Sequence, residues 1–266
     1  MAEGAEQLDN IQGVLLDLDG TVFVGDQLVP RAAEAIAALR RGAMPIRFGT
    51  NTTRMSRDAL VQRIRRLGVE INPEEVFTAP LAAVSWLEKM GIQSVALCVP
   101  EATRADFARC RIDHTSPEAV VIGDLGSAWD FNRLNRAFLQ IMGGAEFVAL
   151  QRNRYWETGQ GLALDAGAFV AALEYATGRT ATIVGKPSQA FFEAAASAMA
   201  VDLANVAVVG DDITTDVAGA QRCGAVSVLV QTGKFREDDL SVALAEPDLV
   251  LDSVASLPSA LGVGLD

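Results

Sequence analysis

Asp17 and Asp19 stand two residues apart where the apolar run Val14-Leu15-Leu16 gives way to the turn Gly20-Thr21. A second acidic group, Asp211, Asp212 and Asp216, follows the apolar run Val206-Ala207-Val208-Val209-Gly210. Between these two groups, Thr50 and Asn51 end the run Pro45-Ile46-Arg47-Phe48-Gly49, and Lys186 sits in the turn Gly185-Lys186-Pro187 after Thr182-Ile183-Val184. Hard oxygen ligands without histidine or cysteine select Mg²⁺, which keeps several waters and binds through one or two carboxylates plus a phosphate. Asp17 and Asp211 can supply those carboxylates. A phosphate there would meet the cation, the Thr50 hydroxyl, turn N–H groups and the Lys186 ammonium. Two aspartates at one strand end can then divide phosphoryl transfer, one attacking phosphorus and the other handling the leaving-group proton.

Such groups converge only if the apolar runs are strands of one sheet. A run of four to eight apolar residues closed by a glycine turn fits the buried strand of a parallel sheet, and ligands of open α/β sheets sit at the carboxyl ends of such strands. On an extended chain Asp17 and Asp19 project to the same side. The Ala-rich segment 31–40 reads as a crossover helix stopped by Gly42, and Ser56 reads as the cap of a helix over 57–67 closed by Gly68. From Pro80 the alternation continues through helix 80–90, strand 94–99, helix 101–108, strand 119–122, helix 130–142, strand 146–150 and helix 166–177. Helix 189–199 and a helix opened by Asp216 and running to Cys223 follow, then strand 225–230, a charged helix around 236–244, strand 248–251 and a last helix after Asp252. Between strand 146–150 and helix 166–177, residues 151–161 read as a polar and aromatic loop suited to ligand contact, with Arg154 for an anionic group and Tyr155 or Trp156 for a ring. The expected architecture is α/β: a Rossmann-like doubly wound parallel sheet formed by residues 1–79 and 183–266, with a second α/β unit inserted at 80–182.

The chain has 266 residues, half of them hydrophobic and 21% charged, which is the composition of a globular protein with a sizeable core. Its net charge of -12 argues against nucleic acid or an anionic membrane as partner. The polar, acidic N-terminus is not a signal peptide, and no apolar run reaches the roughly 18 residues of a membrane span, so a cytoplasmic protein is expected. Cys98, Cys110 and Cys223 are odd in number and lack CxxC spacing, which points to buried, reduced thiols rather than disulfides or zinc. A single histidine, His114, leaves no His-rich metal site and reads as an ordinary surface residue.

The ordered set Asp17-Leu18-Asp19-Gly20-Thr21, Thr50-Asn51, Gly185-Lys186-Pro187 and Gly210-Asp211-Asp212-Ile213-Thr214-Thr215-Asp216 resembles the four motifs of the haloacid dehalogenase superfamily of aspartate-nucleophile phosphohydrolases. The insertion between the second and third motifs is similar to the large α/β cap of its class IIA members. The resemblance implies that Asp17 is the nucleophile that forms an aspartyl phosphate, and that Asp19 protonates the leaving oxygen and then activates water. It implies Mg²⁺ held by the Asp17 carboxylate, the Asp19 backbone carbonyl and Asp211, with Asp212 reaching the metal through water. Thr50 and Asn51 would grip the phosphoryl oxygens, and Lys186 would neutralise the nucleophile–phosphate pair, positioned by Asp216. Asp19 argues against dehalogenation, because halide needs no proton to leave. The class further implies a cap loop at Arg154 and Trp156 that contacts substrate, and a homodimer contact through the cap. The implied substrate is a small phosphorylated metabolite: a phosphate monoester, a phosphoramidate or pyrophosphate. Two alternatives remain at this point. A signalling receiver domain would be about half this length and lacks the second acid, and a catalytically silent phosphate-binding protein of the same fold would keep the motifs without turnover.

Overall fold

The computed structural model describes residue 8 and residues 10–158, 161–237 and 245–264, with the side chains of 156–158 outside that description. The chain divides into two compact units. One comprises Met1–Thr50, Asp58–Phe77 and Lys186–Asp266, and the other Asn51–Arg57 and Thr78–Gly185.

The first unit is built on a six-stranded sheet. Its strands lie in the order Leu249–Leu251, Val226–Val230, Val206–Gly210, Gly13–Asp17, Ile46–Thr50, Val76–Thr78. Gly13–Asp17 pairs in parallel with both Val206–Gly210 and Ile46–Thr50. In chain order this is the doubly wound sequence 3-2-1-4-5-6 of the Rossmann fold, whose switch point falls between its first and fourth strands. Those two strands, Gly13–Asp17 and Val206–Gly210, are buried along their whole length. They are buried because apolar residues, mostly Val and Leu, face the layers on both sides of the sheet. Val14, Leu16, Phe48, Val209 and Val228 join Ile36 and Leu39 of the helix Ala32–Arg41 and Leu60 and Ile64 of the helix Arg57–Arg66 in one apolar core.

The second unit has a five-stranded sheet in the order Thr182–Ile183, Glu146–Ala149, Ala119–Ile122, Ser94–Cys98, Arg111–Ile112, all paired in parallel. The helices Ala79–Lys89, Phe131–Met142 and Ala166–Thr177 are capped by Thr78, Asp130 and Asp165, whose side-chain oxygens accept the N–H groups of Leu81, Arg133 and Ala166.

The structure departs from the sequence expectations at several places. Thr182–Ile183 pairs with Glu146–Ala149 and belongs to the second sheet, so Lys186 does not leave a strand of the six-stranded sheet. Val76–Thr78, three residues long, is a strand that the pattern did not signal. Glu101–Phe107 is a 3₁₀ helix rather than an α-helix. The expected loop 151–161 contains a strand, Tyr155–Thr158, that forms an antiparallel hairpin with Gly161–Leu164. The three cysteines are free thiols, half-buried rather than buried. The charged helix expected around 236–244 falls mostly on residues 238–244, which lie outside the described residues. Among the described residues no helix is long and apolar enough to cross a membrane.

Candidate active site

The acids of the first unit gather at the switch point of its sheet. Asp17 is the last residue of Gly13–Asp17, and Asp211 follows Val206–Gly210 directly. Carboxylate oxygens of Asp17, Asp211 and Asp216 lie within 4.8 Å of one another, and all three residues are buried. Lys186, 4% exposed, donates from Nζ to Asp17 Oδ1 at 2.5 Å and to Asp216 Oδ1 at 2.7 Å. Asp216 is itself fixed, since its Oδ2 accepts the Asp212 N–H at 3.3 Å.

Local structure explains how these side chains are aimed. Asp212 caps a single π-helical turn, Ile213–Val217, its Oδ1 accepting the N–H groups of Thr214 and Thr215 at 2.9 and 3.1 Å. The helix therefore begins at Asp212 and not at Asp216, and the wider turn carries Asp216 inward to Lys186. Gly20 has φ +96°, and a Cβ there would come within 1.9 Å of Asp211 Oδ2. Gly233, at φ +59°, would bring a Cβ within 2.1 Å of the same oxygen. Only glycine supplies both the left-handed backbone and the space on either flank of that carboxylate.

Three acids in so small a buried volume repel one another. Burial raises Asp17 to about 6 against the pull of Lys186, and Asp211 and Asp19 push it further up. Asp211 is likewise raised to about 6 by burial, opposed by the Lys234 N–H, and Asp216 is raised to about 7 by burial against Lys186. Burial alone would lower the Lys186 ammonium, but Asp17 and Asp216 hold its pKa above the usual lysine value. Asp212 behaves oppositely: hydrogen bonds from Thr214 and Thr215, together with Lys234, outweigh burial and keep it low. The cluster thus holds more negative charge than its one buried ammonium balances, and its donors are all hard oxygens. That combination fits a small divalent cation.

Asp19 occupies different surroundings. The strand ends at Asp17, and the fully buried Leu18 lies between Asp17 and Asp19 in the chain. The Asp19 side chain is 49% exposed, with Oδ1 3.9 Å from Arg63 Nη1. Arg63 is anchored in turn over the Phe23 ring at 4.5 Å and by a bond to the Gly25 carbonyl at 2.7 Å. Thr50 is buried at the end of its strand. Asn51 belongs to the second unit, where its Oδ1 lies so close to Gly185 that a Cβ there would approach to 2.7 Å. Arg154 is exposed, its guanidinium 5.9 Å from the Tyr155 ring centre. Trp156 pairs through its backbone with Ala163, and its side chain lies outside the described residues.

Sequence reasoning passed over a further strand end. After Val226–Val230 the turn Gln231-Thr232-Gly233-Lys234 reaches the same acids: the Lys234 N–H donates to Asp211 Oδ2 at 2.6 Å, its Nζ lies 3.4 Å from Asp212, and Thr232 Oγ1 donates to the Gly20 carbonyl at 2.5 Å. The available signal was that a buried strand ends here too in a hydroxyl, a glycine and a lysine.

Comparison with known proteins identifies the class to which this α/β fold, with acids and a lysine at its switch point, belongs. Residues 14–112 match the model of haloacid dehalogenase-like hydrolases and residues 183–257 that of HAD-hydrolase-like proteins. The chain is 36% identical over 261 residues to human phospholysine phosphohistidine inorganic pyrophosphate phosphatase, with 96% of each chain covered. Its fold superposes on the 4-nitrophenylphosphatase of Thermotoga maritima with a TM-score of 0.89 at 28% identity, covering 96% of this chain and 99% of that one. It also superposes on the glycerol phosphate phosphatase of Mycobacterium tuberculosis in complex with magnesium, with a TM-score of 0.85 at 30% identity over 94% and 77% of the two chains. The chain belongs to the haloacid dehalogenase-like hydrolase family, and it is an enzyme of the phosphatase type within it.

Proposed function

We propose that the protein hydrolyses a small phosphorylated metabolite through an aspartyl phosphate on Asp17, with Mg²⁺ as its cofactor. The observation that carries this reading is the buried Lys186 ammonium bound to both Asp17 and Asp216 beside Asp211. It pins one oxygen of Asp17 and so orients the carboxylate, which a nucleophile requires and a solvated structural acid does not.

Asp17, the Asp19 backbone carbonyl and Asp211 would hold the metal, with Asp212 acting through water. Mg²⁺ there supplies positive charge that draws the phosphoryl group to the acids and keeps Asp17 ionised. An Asp17 oxygen attacks phosphorus, the bond from phosphorus to the leaving atom breaks, and that atom, oxygen in an ester or pyrophosphate and nitrogen in a phosphoramidate, takes the Asp19 proton. Asp19, now a carboxylate, removes a proton from water as the water oxygen attacks phosphorus, and the Asp17–phosphorus bond breaks to release phosphate. The half-exposed Asp19 carboxyl can meet the leaving atom and then the water that replaces it, and the proton taken from that water restores the one given away. Lys186, the Thr50 hydroxyl and Asn51 would bind the phosphoryl oxygens, and Asp216 would position Lys186. Phosphate monoesters, phosphoramidates and pyrophosphate are the substrate classes, with Arg154 and Trp156 setting preference among them.

A phosphate-release assay with divalent ions tests the proposal. Mg²⁺ should support turnover and Ca²⁺ should not, since Ca²⁺ takes a higher coordination number and disturbs in-line geometry. Robust turnover with Ca²⁺ alone, or in excess chelator, contradicts it.

A further inference from the structure

The five-stranded sheet of the second unit has a switch point of its own. In chain order its strands run 2-1-3-4-5, the flavodoxin-like arrangement, with Ser94–Cys98 first, Arg111–Ile112 on one side of it and Ala119–Ile122 on the other. Chain segments leaving the carboxyl ends of the first and third strands diverge there and open a crevice, the place where ligands of such sheets bind. A cavity of about 480 Å³ occupies it, reached by Val99 and Pro100 from one strand end and by Leu125 and Ala128 from the other.

The charge around this cavity is opposite to that of the protein as a whole. Arg104, Arg133 and Arg136 line it against one carboxylate, Glu101, in a chain of net charge -12. Arg133, Arg136, Ala137 and Gln140 fall at helical spacing on one face of Phe131–Met142, so the helix turns a basic edge to the cavity. Arg104 is paired with Glu101 at 3.1 Å and Arg133 with Asp130 at 3.6 Å, whereas Arg136 forms no ion pair among the described residues. Gln140 Nε2 donates to the His114 carbonyl at 2.7 Å and so tethers the protein's one histidine at the cavity wall. The positive field is felt by two neighbours: the His114 imidazole is lowered by burial and then by Arg104 and Arg136, and Arg133, Arg136 and Arg104 all pull on the Cys98 thiol, which burial nevertheless raises to about 11.

We propose that this cavity is an anion site of the second unit that takes a small organic phosphate, its phosphoryl oxygens on Arg104, Arg133 and Arg136 and its organic part against Val99, Leu125 and Ala128. Three guanidinium forks exceed what a single carboxylate needs and match the several acceptors of a phosphate dianion. The volume lies within the range of small-molecule pockets and exceeds that of an inorganic ion. The site shares no residue with the acid cluster and stands independently of the reaction proposed there.

His114 reports on it without interference from the other unit, because its ring C–H signals have no counterpart elsewhere in the chain. Phenylphosphonate, whose carbon–phosphorus bond resists phosphatase hydrolysis, is titrated into the full-length protein at constant ionic strength while those proton resonances are followed. The expected result is a saturable shift together with a rise in the His114 pKa, as an anion comes to face the ring alongside Arg104, Arg136 and Asp113. Arg136→Ala should weaken the apparent affinity about tenfold and Arg136→Glu should abolish the shift, with hydrolysis of p-nitrophenyl phosphate unchanged in both. A shift that does not saturate, or one retained at the same affinity in Arg136→Glu, overturns the proposal.

Discussion

At the carboxyl end of Gly13–Asp17 three carboxylates and one ammonium lie buried, whereas beyond the carboxyl end of Ser94–Cys98 three exposed guanidinium groups surround a cavity. Both places are switch points of parallel sheets, so topology alone does not separate them. Burial does. In the first unit Gly20 and Gly233 let backbone close over Asp211, water is kept away, and the acids rise to about 6 and 7. In the second the arginines keep their hydration and two have carboxylate partners. A desolvated, over-charged cluster is suited to chemistry that brings in a cation and a phosphate together, and a solvated basic rim to reversible binding.

The comparison breaks most visibly at Asp17. Asp17→Asn preserves shape but removes the nucleophile, and turnover should fall by about a thousandfold or more. Arg136→Ala, the corresponding change in the other unit, should leave turnover within about twofold, since it removes only a binding contact. Comparable losses in the two variants would erase the distinction.

In the first turnover, Asp19→Asn should slow release of the leaving group from an alkyl phosphate by about a hundredfold, and from p-nitrophenyl phosphate far less, because an activated leaving group scarcely needs the proton. Equal first-turnover losses on both substrates would remove Asp19 from protonating the leaving group.

Charge crowding predicts a reversal in stability. Asp211 ionises near 3.8 when unfolded and near 6 when folded, so its ionisation opposes folding. The penalty is absent below about pH 4, grows as pH rises, and is complete above about pH 6. In chelator at pH 8, Asp211→Asn should therefore be more stable to urea than the wild type, by about 1–3 kcal/mol. At pH 4 the gain should vanish, and at pH 8 added Mg²⁺ should stabilise the wild type but not the variant. A variant less stable than wild type in chelator at pH 8 would show that the acids are not in conflict.

The smallest effect concerns specificity. Arg154→Ala and Trp156→Ala should reorder a panel of nucleotides, sugar phosphates, pyridoxal phosphate and pyrophosphate by several-fold, with p-nitrophenyl phosphate nearly unchanged. Proportional loss on every substrate would assign the hairpin a structural role.

Much of this was legible in the sequence because the governing physics is local. Val14-Leu15-Leu16 and Val206 to Val209 are unbroken apolar runs closed by acids, and each is a fully buried strand. Sheet membership is not local, which is why Thr182–Ile183 pairs with Glu146–Ala149 instead of supplying a core strand for Lys186. The capping role of Asp212 was not legible because capping is set by backbone geometry, and the π-helical turn it caps has no pattern of its own. The contrast between Asp17 and Asp19 could not be read from spacing, since the strand ends between them. Thr232, Gly233 and Lys234 were visible as residue types, but their bonds to Gly20 and Asp211 join positions about two hundred and about twenty residues apart in the chain. The anion pocket was hidden for the same reason, its arginines being scattered from 104 to 136 among ordinary surface charge.

The central claim is that Asp17 carries the phosphoryl group between substrate and water. Rapid mixing of Asp19→Asn with p-nitrophenyl phosphate and Mg²⁺, followed by a quench and peptide mass spectrometry, tests it directly, because this variant should form the intermediate and lose it slowly. The account predicts a phosphoryl group on the peptide containing Asp17, with a stoichiometric burst of nitrophenol, and neither in Asp17→Asn. Turnover without any phosphorylated peptide, or a phosphoryl group on a residue other than Asp17, would contradict it.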